Sequence, residues 1–328
     1  MVLKLRKMKK ILIFKTDRLG DLLNISPIVS NLKSHNPSCN ITLVCSNYNK
    51  SIAEYYSDDL NYVVYNNSLL IFIIKNLSSI ILKKYDLILQ LDGKSHSYVL
   101  STLIRSTNKA CLNFIKNKKI LGFNFKINRP NFLINSFFNY SVSSYENYDR
   151  ADNKNFHYLS LYLSLINKLN IKIKSKSHYL KLKKPSILPE FNEKYLLIHI
   201  DKRWEMFSPT VRENLKQKIL SLSLNKKICI SSNIGNNEIF NFIKKECSNL
   251  FNIKFFDQPP LDHIVSLVYF SETCISSHSG LIVHAAAAFK KNIVDLVPLE
   301  IYNELDRWVP FNVNYKRYDI NNFKDKEF

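Results

Sequence analysis

Four short stretches of this 328-residue sequence combine residue types that can do chemistry. The first, Lys15-Thr-Asp-Arg-Leu-Gly-Asp21, follows the apolar run KILIF and precedes a helical pattern. It therefore sits where a strand of an open α/β sheet hands over to a helix, the usual ligand-binding edge. Gly20 permits a tight turn, and Asp21 falls near the helix start. Asp21 reads equally well as a helix N-cap and as a carboxylate base that takes a proton from a hydroxyl. The pairs Lys15/Arg18 and Asp17/Asp21 can also neutralise one another within the loop. The second stretch, Ser276-Ser-His-Ser-Gly-Leu-Ile-Val-His284, is followed by four alanines. Small residues there let a helix approach the sheet, with free N–H groups suited to a diphosphate. The alternative is an ordinary Ser-capped helix start with a buried histidine. In the third, His199-Ile-Asp-Lys-Arg-Trp204, Lys202 and Arg203 can neutralise phosphate oxygens, or simply form a solvated basic loop. In the fourth, Gly235-Asn-Asn-Glu238, the acid can accept from ribose hydroxyls or stabilise a first helical turn. No stretch is a dinucleotide fingerprint or a phosphate-binding Walker loop.

The elements that must position these residues follow from hydrophobic periodicity. Strands are expected at Lys9–Phe14, Ile41–Cys45, Tyr62–Tyr65, Tyr85–Gly93 and Lys109–Phe114, with helical patterns at Leu22–Ser34, Asn67–Lys83, His96–Arg105 and Tyr148–Leu169. The lysine- and serine-rich stretch 171–189, with Pro185 and Pro189, reads as a linker. A second alternating series begins at YLLIHI and ends at KNIVDLV, with Pro209 opening a helix over Ser208–Leu220. The alternation implies two doubly wound α/β domains, 1–185 and 186–328, each a parallel sheet with helices on both faces. Their mutual cleft is the expected ligand site.

Composition bounds the class. The chain is 46% hydrophobic and 12% aromatic, enough to bury a core. It contains no apolar run long enough to span a membrane, and the four-residue run Ile11–Phe14 is too short for a signal peptide. With 38 Lys and 38 Asn against 7 Ala and 5 Gly, an A/T-rich genome accounts for part of the +20 net charge. The charge is nevertheless lopsided. Residues 1–185 hold 29 basic and 10 acidic residues, +19, and residues 186–328 hold 18 and 17, +1. Codon bias should act on both halves alike, so the asymmetry points to an anionic partner of the first half. The six cysteines form no CxxC pair and read as buried, reduced thiols of a cytosolic protein. The eight histidines lack HxxxH spacing, and no metal site is expected.

Taken in order, the motifs resemble glycosyltransferase family 9, the family of the lipopolysaccharide heptosyltransferases. ILIFKTDRLGDLLNISPIVSNLK resembles that family's opening strand, acidic glycine loop and proline-bearing helix. YDLILQLDG resembles its mid-domain strand, DKRW its lysine-x-tryptophan loop, GNNE its glycine-then-glutamate helix start, and SHSGLIVHAAAA its aspartate-threonine-glycine-x-x-histidine-x-alanine-alanine motif. The similarity runs from about residue 9 to 310. It implies a GT-B fold, two Rossmann-like domains facing across a cleft, the first for the acceptor and the second for a nucleotide-sugar donor. It implies inverting transfer, of heptose in the heptosyltransferases, without metal or cofactor. Carried over by position, Asp21 is the general base, in an acceptor-side loop with Lys15, Asp17, Arg18 and Gly20. Lys202 and Arg203 face the donor diphosphate and Glu238 the ribose. Ser279 and Gly280 bind the diphosphate, with His278 and His284 also on the donor side.

Two departures fall in the donor half: His278 stands where the family has aspartate, and Gly280 lies one residue farther from His284. The donor sugar is therefore left open. The family's C-terminal segment often packs back toward the first domain, an expectation for the tail 311–328. An anionic, membrane-associated glycolipid acceptor fits the +19 half, with Lys116, Lys118, Lys119, Lys126, Lys172, Lys174 and Lys176 as contacts. That places the protein in the cytoplasm, peripheral to the inner membrane. Rival readings are a catalytically silent glycan-binding protein of the same fold and a basic nucleic-acid-binding protein. The second is disfavoured by the absence of any helix-turn-helix, RNA-recognition or zinc-finger pattern.

Overall fold

The computed structural model describes residues 8–56, 59–120, 123–130, 132–143, 157–181, 191 and 193–328. The chain divides into two compact units, Met1–Lys176 and Ser177–Phe328. The division falls inside the stretch read as a linker, of which 182–190 lies outside the described residues.

In the first unit the strands are β1 (Lys10–Phe14), β2 (Asn40–Ser46), β3 (Asn61–Tyr65), β4 (Tyr85–Gln90), β5 (Ser106–Ile120), β6 (Phe123–Arg129) and β7 (Tyr140–Ser143). Their order is β3-β2-β1-β4-β5-β6, with β7 also paired to β5. The helices are α1 (Leu19–Leu23), α2 (Ser26–His35), α3 (Lys50–Glu54), α4 (Leu69–Lys75), α5 (Ser95–Leu103), α6 (Phe132–Asn135) and α7 (Tyr158–Lys168). β1 is central because Ile11–Phe14 are apolar and buried on both faces, as a parallel strand between helical layers requires.

Three local expectations are corrected. The single helix expected at Leu22–Ser34 is split in two. Pro27 has no N–H to bond the carbonyl one turn back, so α1 ends at Leu23 and α2 restarts at Ser26. The pattern over Asn67–Lys83 breaks at Asn76, whose side chain donates to the Phe72 carbonyl, and the chain continues as a π-helical turn, Leu77–Ile81. The first sheet is not wholly parallel. β5 outruns its expected span, and its lysine-rich second half pairs antiparallel with β6 while its first half pairs parallel with β4 and β7. Lys116, Lys118 and Lys119 lie on β5 and Lys126 on β6. Of the helix expected over Tyr148–Leu169, residues 148–156 lie outside the described residues.

The second unit holds β8 (Tyr195–Ile200), β9 (Lys227–Ser232), β10 (Ile253–Asp257), β11 (Ser271–Ser276), β12 (Asn292–Val297) and β13 (Tyr315–Asp319). The helices are α8 (Pro209–Ser223), α9 (Glu238–Cys247), α10 (Leu261–Phe270), α11 (Gly280–Ala288) and α12 (Tyr302–Leu305). The order β10-β9-β8-β11-β12-β13 is parallel throughout and repeats the Rossmann sequence of strands. Ser208 caps α8 with Pro209 in its first turn, as its sequence signals. The tail belongs to this unit as the edge strand β13, and Ile320 and Phe323 enter the same core as Trp204 and Phe240. Burying those two side chains accounts for its docking on this sheet. No described helix is long and apolar enough to cross a membrane.

Candidate active site

In each unit the candidate residues lie where neighbouring parallel strands end at one sheet edge. In the first unit these strands are β2, β1 and β4. Lys15 is buried, and its ammonium donates to Asp17 Oδ2 at 2.8 Å, to the Leu91 carbonyl at 3.1 Å and to the Tyr162 hydroxyl at 2.8 Å. Burial opposes the Lys15 charge, but Asp17, Tyr162 and Asp21 outweigh it and hold the ammonium well above the ordinary lysine range. Burial pushes Asp17 up to about 6 even against the pull of Lys15. Fully buried Asp92, at the end of β4, organises the loop: Oδ2 accepts from Thr16 N (2.7 Å), Thr16 Oγ1 (2.8 Å) and Ser97 Oγ (3.0 Å), and Oδ1 from Lys94 N and Gln90 Nε2 (both 3.0 Å). From the turn after β2, Asn49 donates to the Lys15 and Asp17 carbonyls.

This scaffold removes the N-cap reading of Asp21. The N-cap position belongs to Arg18, whose backbone is extended and whose carbonyl accepts from Leu22 N. Asp21 is the third residue of α1, half-exposed, and accepts no hydrogen bond from a described residue. Gly20 is not in a turn. Because α1 starts at Leu19, the chain bends at Asp17 and Gly20 is buried within the first helical turn. The expected internal ion pair does form, between Lys15 and Asp17, while Arg18 points outward and exposed.

In the second unit the loops after β8, β9 and β11 come together. Asp201 caps the 3-10 turn Lys202–Met206 through Arg203 N, and its other oxygen holds the Arg203 guanidinium at 2.9 Å. Burial raises the Asp201 carboxyl despite Arg203. Arg203 also donates to the His278 carbonyl at 2.5 Å, tying the β8 loop to the β11 loop. Trp204 anchors the turn in the core, and Lys202 is left exposed, without a hydrogen bond or ion pair among the described residues. His199, fully buried against Ser231, is pushed down to about 4 by burial with Arg203 nearby, so it is neutral at physiological pH.

His278 adopts a left-handed backbone (φ 54°) and is fixed by Asp295, whose carboxylate accepts from Ser276 Oγ, His278 N, His278 Nδ1 and the Tyr315 hydroxyl. Ser279 occupies the N-cap of α11 but makes no capping bond; its own N–H donates to Ser276 Oγ. The expected alternative of ordinary Ser capping therefore does not hold, and the first N–H groups of α11, starting at Gly280, receive no Ser279 acceptor. His284 is buried and stacked on His178, with centroids 5.1 Å apart. Glu238 is exposed at the start of α9, where its carboxylate accepts from Arg212 at 3.2 Å, and Asn237 caps the helix. A Cβ at Gly235 would come within 2.7 Å of the Gln258 amide, the far end of an exposed side chain that would have to move aside. Among the described residues, no three His, Cys, Asp or Glu side chains gather as metal ligands.

Sequence reasoning missed Asp92, Asn49, Tyr162, Asp295 and Tyr315, which hold the candidate residues in place. Only the acids carried a signal, each lying within or at the end of an otherwise apolar strand.

No protein-family model matches the sequence, and no curated protein sequence does. Solved structures do match. A glycosyltransferase family 9 protein from Veillonella parvula aligns with a TM-score of 0.69 at 14% identity, over 96% of this chain and 87% of that one. This chain has the fold of the family 9 glycosyltransferases. The ADP-bound E. coli heptosyltransferase WaaC aligns at 0.64 and 14% identity, over 94% of this chain and 90% of its own. E. coli ADP-heptose lipopolysaccharide heptosyltransferase II aligns at 0.65 and 12%, over 95% and 90%. The GT-B architecture implied by the sequence resemblance is thus the architecture found.

Proposed function

We propose that the chain is a divergent family 9 glycosyltransferase that moves a sugar from a nucleotide-sugar to a hydroxyl of lipopolysaccharide or another cell-surface glycan. The observation that carries the reading is the half-exposed Asp21 carboxylate. Every other charged group of its loop except outward-facing Arg18 is buried or paired, whereas Asp21 has both oxygens available for an acceptor hydroxyl. Asp21 removes the hydroxyl proton as the oxygen attacks the anomeric carbon, the bond to the diphosphate breaks, and the configuration inverts. The departing diphosphate carries the negative charge. Lys202, the open N-terminus of α11 at Ser279 and Gly280, and Arg203 behind them supply compensating charge and N–H dipoles without a metal. Glu238 serves the ribose. His284, buried against His178, supports α11 rather than contacting the donor. Two of the three neighbours are heptosyltransferases, but His278 replaces an aspartate on the donor side, so the reading commits to a nucleotide-sugar and not to heptose. An acceptor carried on the inner membrane places the reaction at its cytoplasmic face.

Calorimetry with ADP, GDP, UDP and CMP tests the donor side. One nucleotide binds selectively, and Lys202→Ala weakens it about tenfold, the scale of one charge-assisted phosphate contact. Asp21→Asn keeps that binding and loses about 10²- to 10⁴-fold in turnover. Full turnover by Asp21→Asn rejects it as the base, and binding of none of the four nucleotides leaves the fold in a glycan-binding role.

A further inference from the structure

The first unit carries an apolar surface that its core does not explain. On α4, Phe72 is buried, and Leu69 and Ile73 pack with it against Tyr65 and Ile80. The opposite side presents Leu70, Ile71 and Ile74, and the turn that follows adds Leu77 and Leu82. These five side chains are 46–68% exposed within thirteen residues. Exposed aliphatics scattered singly need no explanation; a contiguous group marks a binding surface. Lys75, Lys83 and Lys84 lie in the same segment, exposed and with no hydrogen bond or ion pair among the described residues. No acid occurs between Asp59 and Asp86.

We propose that this face of α4 and its π-helical turn inserts into the interface of an anionic lipid bilayer. An aliphatic face flanked by lysines and free of carboxylates is the composition that lies in the headgroup layer. The lysines add electrostatic attraction to a negative leaflet. A second copy of the chain fits less well, because it would bring the same lysines and no acids to the contact. The surface is also linked to the Asp21 loop. Phe72 of α4 lies 5.6 Å from Tyr65, Tyr65 stacks on His96 at 4.0 Å, and His96 Nε2 is 2.9 Å from Thr16 Oγ1. These contacts connect the docking helix to the β1 loop, where a lipid-linked acceptor would present its hydroxyl. The inference rests on the proposed acceptor for that last step only.

The test is flotation of the full chain with vesicles of phosphatidylcholine alone and of phosphatidylcholine mixed with phosphatidylglycerol. It uses no turnover, so the surface and the activity can fail separately. The wild type binds the mixed vesicles, more weakly as salt rises. Leu70→Ser with Ile74→Ser lowers partitioning at least about tenfold on the mixed vesicles. Lys75→Glu, Lys83→Glu and Lys84→Glu together bring mixed-vesicle binding down to the level on phosphatidylcholine alone. Leu224→Ser with Phe251→Ser, equally exposed in the second unit, changes nothing. Wild-type levels of binding by the Leu70/Ile74 variant, or no binding by the wild type, overturns the proposal. So does a wild-type dimer in sedimentation that the Leu70/Ile74 variant abolishes, which would assign the face to a second copy.

Discussion

Replacing Lys15 by Met keeps the length and apolar stem of the side chain and removes only the ammonium. Three acceptors then lose their donor: Asp17, the Leu91 carbonyl and the Tyr162 hydroxyl. Breaking a buried ion pair from one side typically costs about 3–5 kcal/mol. The pH dependence identifies the cause. Asp17 is held at about 6 against an ordinary value of 3.8, because burial outweighs the attraction of Lys15. A carboxyl raised by folding binds its proton more tightly in the folded state, so its contribution to stability is lost as pH rises through that window. In wild type the loss is complete slightly above pH 6. Without Lys15, burial acts unopposed and the Asp17 carboxyl rises further above 6. Above pH 6 the variant alone therefore goes on losing stability, at up to about 1.4 kcal/mol per pH unit until Asp17 has ionised, and the gap to wild type widens. Urea unfolding read by hydrogen exchange in β1 and β4 confines the measurement to the first unit. A gap of the same size at pH 6 and pH 8 refutes the reasoning. So does a Lys15→Met/Asp17→Asn double variant no more stable than the single, since removing both charges should recover most of the loss.

Asp92→Asn turns an acceptor with five donors into a group whose amide faces an N–H; it should cost about 3 kcal/mol in the same assay and lower nucleotide-independent order of the 15–18 loop. Tyr315→Phe removes a 2.7 Å donor to Asp295 and an acceptor for Arg317, and is expected to cost about 1–3 kcal/mol, with weaker nucleotide binding through the loosened His278 loop. All six cysteines are free and buried, and burial pushes the Cys45, Cys111 and Cys274 thiols up to about 12, so iodoacetamide at pH 8 should leave the native protein unlabelled and label every cysteine after unfolding.

The interior strands of both sheets were legible because parallel strands covered on both faces read as short apolar runs. The edges were not. β13, YKRYD, carries three charges in five residues, and β5 continues past Phe114 through a run of lysines and asparagines. Edge strands bury too little to leave a hydrophobic signature. The candidate loops were legible because glycine, serine and charge cluster at strand ends. Their supports were not: Tyr162 arrives from 147 residues away and Tyr315 from 20, separations that no local spacing encodes. Gly20 was misplaced because a glycine before a helix signals a turn, whereas here the helix had already begun one residue earlier.

The two units repeat one strand order and divide their charged residues in the same way. At the β1 edge Lys15 and Asp92 are buried among partners, Asp17 is paired with Lys15, and Asp21 has no hydrogen-bond partner among the described residues. At the β8 edge Asp201, Arg203, His278 and Asp295 are tied together, and Lys202 has no hydrogen bond or ion pair among the described residues. Buried charges are tolerable only when paired, so the tied group must be complete for the loop to fold. An exposed charge contributes little to stability and is available for a ligand. Substitutions should therefore separate into two classes. Changing Asp92 or Asp295 lowers stability and activity together, because the loop is lost with its support. Changing Asp21 or Lys202 lowers turnover or nucleotide affinity while the unfolding curve stays in place. A variant at Asp21 that unfolds as readily as one at Asp92 would show that this carboxylate belongs to the scaffold and not to the reaction.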